Sequence, residues 1–303
     1  MLTLESLVDL AEQHRSAFAF PVDSFRVGDR AFDTDREPVV MGVVNLSRDS
    51  TYRESIAPTL GDAVRRSVVL HAQGAHVIDI GAESSRADAV RVGVETQIEQ
   101  LIPLVEALVQ RDIPVSVEAY EVEVIRSALA AGASVVNLTG TKDEDAIYRA
   151  IAEHDASLVM CFTPGDTVRD ELEVRIQADP IPPLIDHFAP RIERARTAGV
   201  RSVSVDPGLG FFYGSSVGPI RKAQHQAQVL LHSFRLRTLG VPVCQIMPHA
   251  FDLFQEEFRS AEGVFAVLGK LGGVGIMRVH EVSRVVATLR MMAIIGTRLP
   301  EHP

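Results

Sequence analysis

Met41-Gly-Val-Val-Asn-Leu-Ser-Arg-Asp-Ser50 joins an uncharged apolar run to an abrupt polar tip. The run from Val39 to Val44 reads as a strand buried on both faces, and Asn45-Leu-Ser-Arg-Asp-Ser50 as a loop able to carry chemistry. The same pattern recurs down the chain. Val77-Ile-Asp-Ile-Gly-Ala-Glu-Ser-Ser-Arg86, Val115-Ser-Val-Glu118, Ser134-Val-Val-Asn137, Leu158-Val-Met-Cys161 and Val203-Ser-Val-Asp206 are apolar runs that end in, or lead into, polar residues.

Helical periodicity fills the spaces between these runs. Ile98, Leu101, Val105 and Leu108 recur at steps of three and four, as do Val122, Ile125 and Leu129 further on. Gly74, Gly132 and Gly199 stand where helices would stop. Later strands are expected over residues 241–246 and 275–279, with one helix from Phe251 to Leu271 between them. The last helix buries Val282, Val285, Val286 and Leu289. The connection from Thr163 to Pro183 is expected to be a mobile excursion over one face.

Eight strands alternating with eight helices predict a (β/α)₈ barrel, an α/β fold, over residues 38–303. Residues 1–37, a short amphipathic helix and a turn at Val27-Gly-Asp-Arg30, are expected to form an extension that closes the barrel's N-terminal end. A doubly wound sheet is the rival. It would have fewer units and a glycine-rich first turn, and Asn45-Leu-Ser-Arg-Asp-Ser50 has no glycine.

The chain of 303 residues carries a formal net charge of −10, which argues against nucleic acid or an anionic membrane as its main partner. It has no 18-residue apolar stretch, and its first residues do not resemble a signal peptide, so a cytoplasmic protein is expected. Cys161 and Cys244 both fall inside strands and read as buried thiols.

A barrel brings the C-terminal ends of its strands to one mouth, here Asn45, Asp79, Glu118, Asn137, Asp206, His249, Arg278 and His280. Glu118 and Asp206 can accept paired hydrogen bonds from an amino-pyrimidine edge, and the Asn137 amide can read a neighbouring donor–acceptor pair. Each of these residues would equally serve to cap a strand end or a helix N-terminus. Arg278 and His280 alternate onto one side of their strand and, with Arg48 and Arg86, suit a phosphate or pyrophosphate. Asn45 and Asp49 offer hard oxygens to Mg²⁺, or alternatively an Asx turn.

These motifs, in this order, resemble dihydropteroate synthase and the wider family of pterin-binding barrels. Asn45-Leu-Ser-Arg-Asp-Ser50 is similar to that family's Asn-x-Thr-Pro-Asp-Ser, and Asp79-Ile-Gly-Ala-Glu-Ser-Ser-Arg86 to Asp-Ile-Gly-Gly-Glu-Ser-Thr-Arg. Ser116-Val-Glu118 stands for Ser-Ile-Asp, and Val136-Asn137 for the start of Ile-Asn-Asp. Asp206-Pro-Gly-Leu-Gly-Phe211 matches Asp-Pro-Gly-x-Gly-Phe, and Arg278-Val-His-Glu281 matches Arg-Val-His-Asp.

The resemblance implies a reaction that joins a pterin methyl pyrophosphate to p-aminobenzoate and releases pyrophosphate. It implies that Glu118, Asn137 and Asp206 hold the pterin, with Asp79 at the same site. Asn45, Arg278 and His280 would hold pyrophosphate with Mg²⁺, of which Asn45 is a ligand. Ser85 and Arg86 would lie on the loop that closes over the reaction. The family is commonly a homodimer, and the apolar end of the last helix, Met291, Met292, Ile294 and Ile295, suits a buried contact.

The departures bear on the second substrate. Tyr213 stands where the family has a lysine, and Pro248-His249-Ala250 where it has Ser-Arg-Lys. Arg48, Glu118, Leu138 and Cys161 replace a proline, two aspartates and a histidine. Two lost lysines remove hydrogen-bond donors and positive charge from the pocket, which argues against the ordinary synthase reaction. Alternatives are a methylfolate-binding methyltransferase barrel, a non-catalytic binding homologue, and a metal-dependent hydrolase built on His249 and His280.

Overall fold

The computed structural model describes residues 2–47, 49, 52–85, 89–168, 170, 176, 178–209 and 217–295. Helix α1 (Leu4–Gln13) is capped by Thr3 and followed by the hairpin β1 (Phe25–Val27) and β2 (Arg30–Phe32). The barrel then runs β3 (Val39–Asn45), α2 (Leu60–Ala72), β4 (Val77–Gly81), α3 (Val94–Val109), β5 (Val115–Ala119), α4 (Val122–Ala130), β6 (Val135–Leu138), α5 (Glu144–Glu153), β7 (Ser157–Cys161), α6 (Ile181–Thr197) and β8 (Ser202–Asp206). It continues through α7 (Pro219–His232), β9 (Cys244–Ile246), α8 (Phe251–Phe254), α9 (Phe258–Leu271), β10 (Ile276–Val279) and α10 (Val282–Ile294).

All eight barrel strands pair in parallel, in the order β8-β7-β6-β5-β4-β3-β10-β9. The remaining seam, between β8 and β9, is bridged by Val205 and Val243, with Val205 N donating to Pro242 O at 3.1 Å. The ring is the expected (β/α)₈ barrel. Strand after strand is buried throughout, because helices cover the outer face and side chains fill the inner one. The helices contribute the apolar stripes read from the sequence: Leu101, Leu104, Val105 and Leu108 of α3, and Val124, Ile125 and Leu129 of α4, are buried. Gly74 and Gly132, with φ of 109° and 105°, end α2 and α4 in a conformation that a side chain would strain.

The first inward residues of the strands form a layer of their own. Phe25, Val27 and Phe32 of the hairpin share one buried cluster with Val39, Met41, Val77, Val135, Val159, Cys244 and Ile276. Backbone atoms pin the hairpin there: Arg26 N donates to Ser202 Oγ at 3.0 Å, and Ser157 Oγ donates to Arg26 O at 2.8 Å.

One helix departs from the expected pattern. The span from Phe251 to Leu271 is broken into α8 and α9 by a turn at Gln255, whose φ of 48° and ψ of −118° no helix can contain. The break lets α8 fold over the barrel mouth while α9 packs alongside the barrel.

Candidate active site at the barrel mouth

Alternation along each strand sends Asp79, Ser116, Glu118, Asn137, Asp206 and Arg278 into the barrel's interior. Arg278 lies at the centre. Its guanidinium is 3.4 Å from Asp206, 3.6 Å from Glu118 and 3.7 Å from Asp79. Asp79 also accepts hydrogen bonds from Ser116 Oγ at 2.6 Å and Asn137 Nδ2 at 3.0 Å. Asn137 Oδ1 accepts in turn from Cys161 Sγ at 3.3 Å. Asp206 Oδ1 accepts from Gly208 N at 2.8 Å, whereas Oδ2 is buried and, among the described residues, receives no hydrogen bond.

Three carboxyl groups share one guanidinium at this floor. Burial pushes Asp79 and Asp206 above the ordinary carboxylate range against the pull of Arg278, and it lifts Glu118 to about 7. Burial works against the charge of Arg278 as well, but Asp206 and Glu118 outweigh it and hold the guanidinium firmly protonated. Both cysteines are buried and unbridged, with thiols pushed upward by burial.

Above this floor opens a cavity of about 240 Å³, lined by Asn45, Ser85, Glu118, His249, Arg278 and His280 together with residues of α7 and α8. Asp79, Asn137 and Asp206 are buried beneath that lining. Asn45 Nδ2 donates to Ser55 Oγ at 2.6 Å. Asp49 is turned toward the next loop, where its carboxylate accepts from Val90 N at 3.2 Å. Arg48, Arg86 and Tyr213 lie outside the described residues.

Three residues of the site escaped the sequence reading. Lys222 lines the cavity on the same face of α7 as Pro219, Ala223 and Gln226, and burial lowers its ammonium pKa. The positions 219, 222, 223 and 226 have helical spacing, which is the signal that could have found it. Tyr52 packs its ring on His249 at 4.4 Å and on His280 at 4.5 Å, and its hydroxyl donates to Glu281 at 2.5 Å. Glu262 of α9 is wholly buried behind the two imidazoles, 3.1 Å from His249 Nε2 and 3.0 Å from His280 Nδ1. Burial opposes its charge, but the two imidazoles outweigh that and hold the carboxyl at about 2. In the sequence Glu262 shows only as an acid on the apolar stripe Ala261, Phe265, Ala266.

Fold and site together define a (β/α)₈-barrel protein with a small-molecule cavity at the C-terminal mouth. The chain belongs to the pterin binding enzymes, whose family model matches residues 41–280. It is 28% identical to the dihydropteroate synthase of Bacillus subtilis over 273 residues, 86% of this chain and 90% of the relative. The Escherichia coli dihydropteroate synthase is likewise 28% identical, over 264 residues, with 84% and 90% covered. Among solved structures, Xanthomonas albilineans dihydropteroate synthase in complex with 7,8-dihydropteroate superposes with a TM-score of 0.70 at 26% identity, covering 89% of this chain and 97% of that one. The same enzyme with 4-aminobenzoic acid gives 0.73 at 27% identity, covering 90% and 98%. The chain is thus a member of a pterin-binding transferase family. Among the described residues no helix is long and apolar enough to cross a membrane.

Proposed function

We propose that the protein transfers a pterinylmethyl group from a pterin methyl pyrophosphate to an amine-type nucleophile. The carbon–oxygen bond to pyrophosphate breaks, a carbon–nitrogen bond forms, and the amine gives up a proton. The observation that carries this reading is the acceptor floor. Asp206 Oδ2 is buried without a donor, and Glu118 stands beside it at the cavity wall. The amino and ring N–H groups of a pterin are the donors such a floor lacks.

In this reading Glu118, Asn137 and Asp206 hold the pterin, with Asp79 fixing Asn137 from below. Asn45, Arg278 and His280 face the pyrophosphate, and Ser85 contributes from the loop after β4. His280 turns Nδ1 to Glu262, which leaves Nε2 for the leaving group. Mg²⁺ fits this arrangement in one respect: the Asn45 amide oxygen is a hard ligand, and this ion usually completes its shell with phosphate oxygens and water. When bound, it would neutralise charge building on the departing pyrophosphate.

The nucleophile's side of the pocket differs from the family pattern. Pro248-His249-Ala250 replaces Ser-Arg-Lys, so the rim cations are gone, while Lys222 stands on the α7 wall. We assign Lys222 to the second substrate, whose anionic group it would meet from a different direction than the family's residues do. That displacement favours a nucleophile other than p-aminobenzoate.

The test is a calorimetric titration with a pterin, with and without pyrophosphate and Mg²⁺, followed by turnover assays over a panel of aryl and alkyl amines. Pterin binding that tightens with pyrophosphate supports the reading. A protein that binds no pterin under either condition overturns it.

A further inference from the structure

We propose that His249, Glu262 and His280 form a binding site for a divalent transition-metal ion of the Zn²⁺ class, separate from any Mg²⁺ held with pyrophosphate. His249 Nε2 and His280 Nδ1 converge on one oxygen, Glu262 Oε1, at 3.1 Å and 3.0 Å. Zn²⁺ bonded at about 2.1 Å to each donor leaves nitrogen–oxygen edges of roughly 3.0–3.4 Å, between octahedral and tetrahedral angles. Both observed edges fall in that range. The ligand atoms all lie within 4.8 Å of one another.

Hydrogen bonding alone does not account for this cluster. His249 Nε2 is buried and 3.1 Å from the carboxylate, yet among the described residues it has no partner in hydrogen-bond geometry. A buried imidazole nitrogen aimed at a carboxylate without bonding it is placed as a ligand atom would be.

The carboxylate is meanwhile held fast from behind. His280 N donates to both its oxygens at 3.0 Å, and Glu281 N donates to Oε2 at 2.8 Å. Such outer hydrogen bonds orient a metal ligand before the ion arrives. Tyr52 packs over both imidazoles and limits their rotation.

Two imidazoles and one carboxylate suit a borderline ion and not Mg²⁺, which prefers an all-oxygen shell. Three protein ligands are also the count that leaves positions open for water or substrate. Those positions would face the cavity, because His249 and His280 line it and Glu262 lies behind them. His280 would bind through Nδ1, which leaves its Nε2 for an anion.

The experiment uses the full chain, stripped with a chelator and dialysed against Zn²⁺ or Co²⁺ alone in the presence of millimolar Mg²⁺. Metal analysis and the visible spectrum of the Co²⁺ form are read together. The wild type is expected to retain one equivalent and to give the visible bands of a nitrogen-ligated Co²⁺. His249→Ala, at the cavity wall, is expected to weaken retention at least tenfold while keeping the wild-type circular dichroism. Glu262→Gln should do the same if it folds, and His249→Ala decides the question if it does not. A wild type that retains no Zn²⁺ or Co²⁺ overturns the proposal, as does His249→Ala binding unchanged. Pterin titration of the same stripped protein reports on the proposed function independently.

Discussion

Arg278 Nη2 lies 3.4 Å from Asp206 Oδ2, and that oxygen receives no hydrogen bond among the described residues. The pair is held by charge alone, with Arg278 at the cavity wall and Asp206 buried beneath it, so a ligand whose N–H donors reach that layer can take over what the arginine leaves unmet. Replacing Asp206 by Asn removes the charge and puts a donor where an acceptor is needed. Asp206→Asn should therefore lower pterin affinity by about 10- to 100-fold, the range for losing a charged hydrogen bond. Calorimetry against the wild type measures it, and unchanged affinity would remove Asp206 from the pterin site.

Glu118 gives the floor a pH dependence. Its ordinary value of 4.5 rises to about 7 in the folded chain because burial disfavours the carboxylate. The folded state thus binds more protons than the unfolded one between those values, and stability falls as pH rises from about 4.5 to about 7, then levels. Glu118→Gln should remove this part of the decline, visible as the difference between the two denaturation profiles. Pterin affinity should move the opposite way and improve through pH 7 as Glu118 becomes an ionised acceptor. A wild-type profile parallel to that of Glu118→Gln would disprove the assignment.

Lys222 separates substrate recognition from chemistry. If it meets the nucleophile's anionic group, Lys222→Met should raise the KM for that substrate about tenfold or more and change kcat little, with the pterin dissociation constant unaltered. Equal changes in pterin binding would place Lys222 elsewhere.

A structural pair outside the cavity supports the mouth from behind. Arg191 of α6 donates to Glu144 of α5 at 2.7 Å, to Cys161 O at 3.0 Å and to Gly140 O at 3.3 Å, so one guanidinium ties two helices to the ends of β6 and β7. Both side chains are almost wholly buried. Glu144→Ala would strand that guanidinium without its counter-charge and should cost about 3–5 kcal/mol in denaturant unfolding. Mutating Arg194, half-exposed on the same carboxylate, should cost far less.

Which parts of this site could be read from sequence follows from how a barrel is built. Glu118, Asn137, Asp206, Arg278 and His280 sit near or just beyond the C-terminal ends of their strands, with Asp79 inside β4, and alternation with parallel pairing sends such residues toward one end of the barrel whatever the loops do. Lys222 and Glu262 sit on helices, and whether a helical residue faces the cavity depends on the helix's rotation about its axis. Tyr52 belongs to a connection, where no periodicity applies. The break at Gln255 was equally hidden, because no proline stands between Phe251 and Leu271, Gln255, Glu256 and Glu257 at the break are good helix formers, and only the backbone reveals the turn.

The hairpin at the barrel's foot bears on how the molecule can be cut. The family match begins at Met41, inside β3, whereas Phe25, Val27 and Phe32 lie upstream of it. A fragment trimmed to residues 41–280 would keep every described residue that lines the cavity. It would also uncover the lowest ring of inward side chains, Met41, Val77, Val135, Val159, Cys244 and Ile276, at the open end. An uncapped greasy orifice of that kind invites neighbouring molecules to plug it, so the shortened chain should clump in solution while the full-length chain stays dispersed.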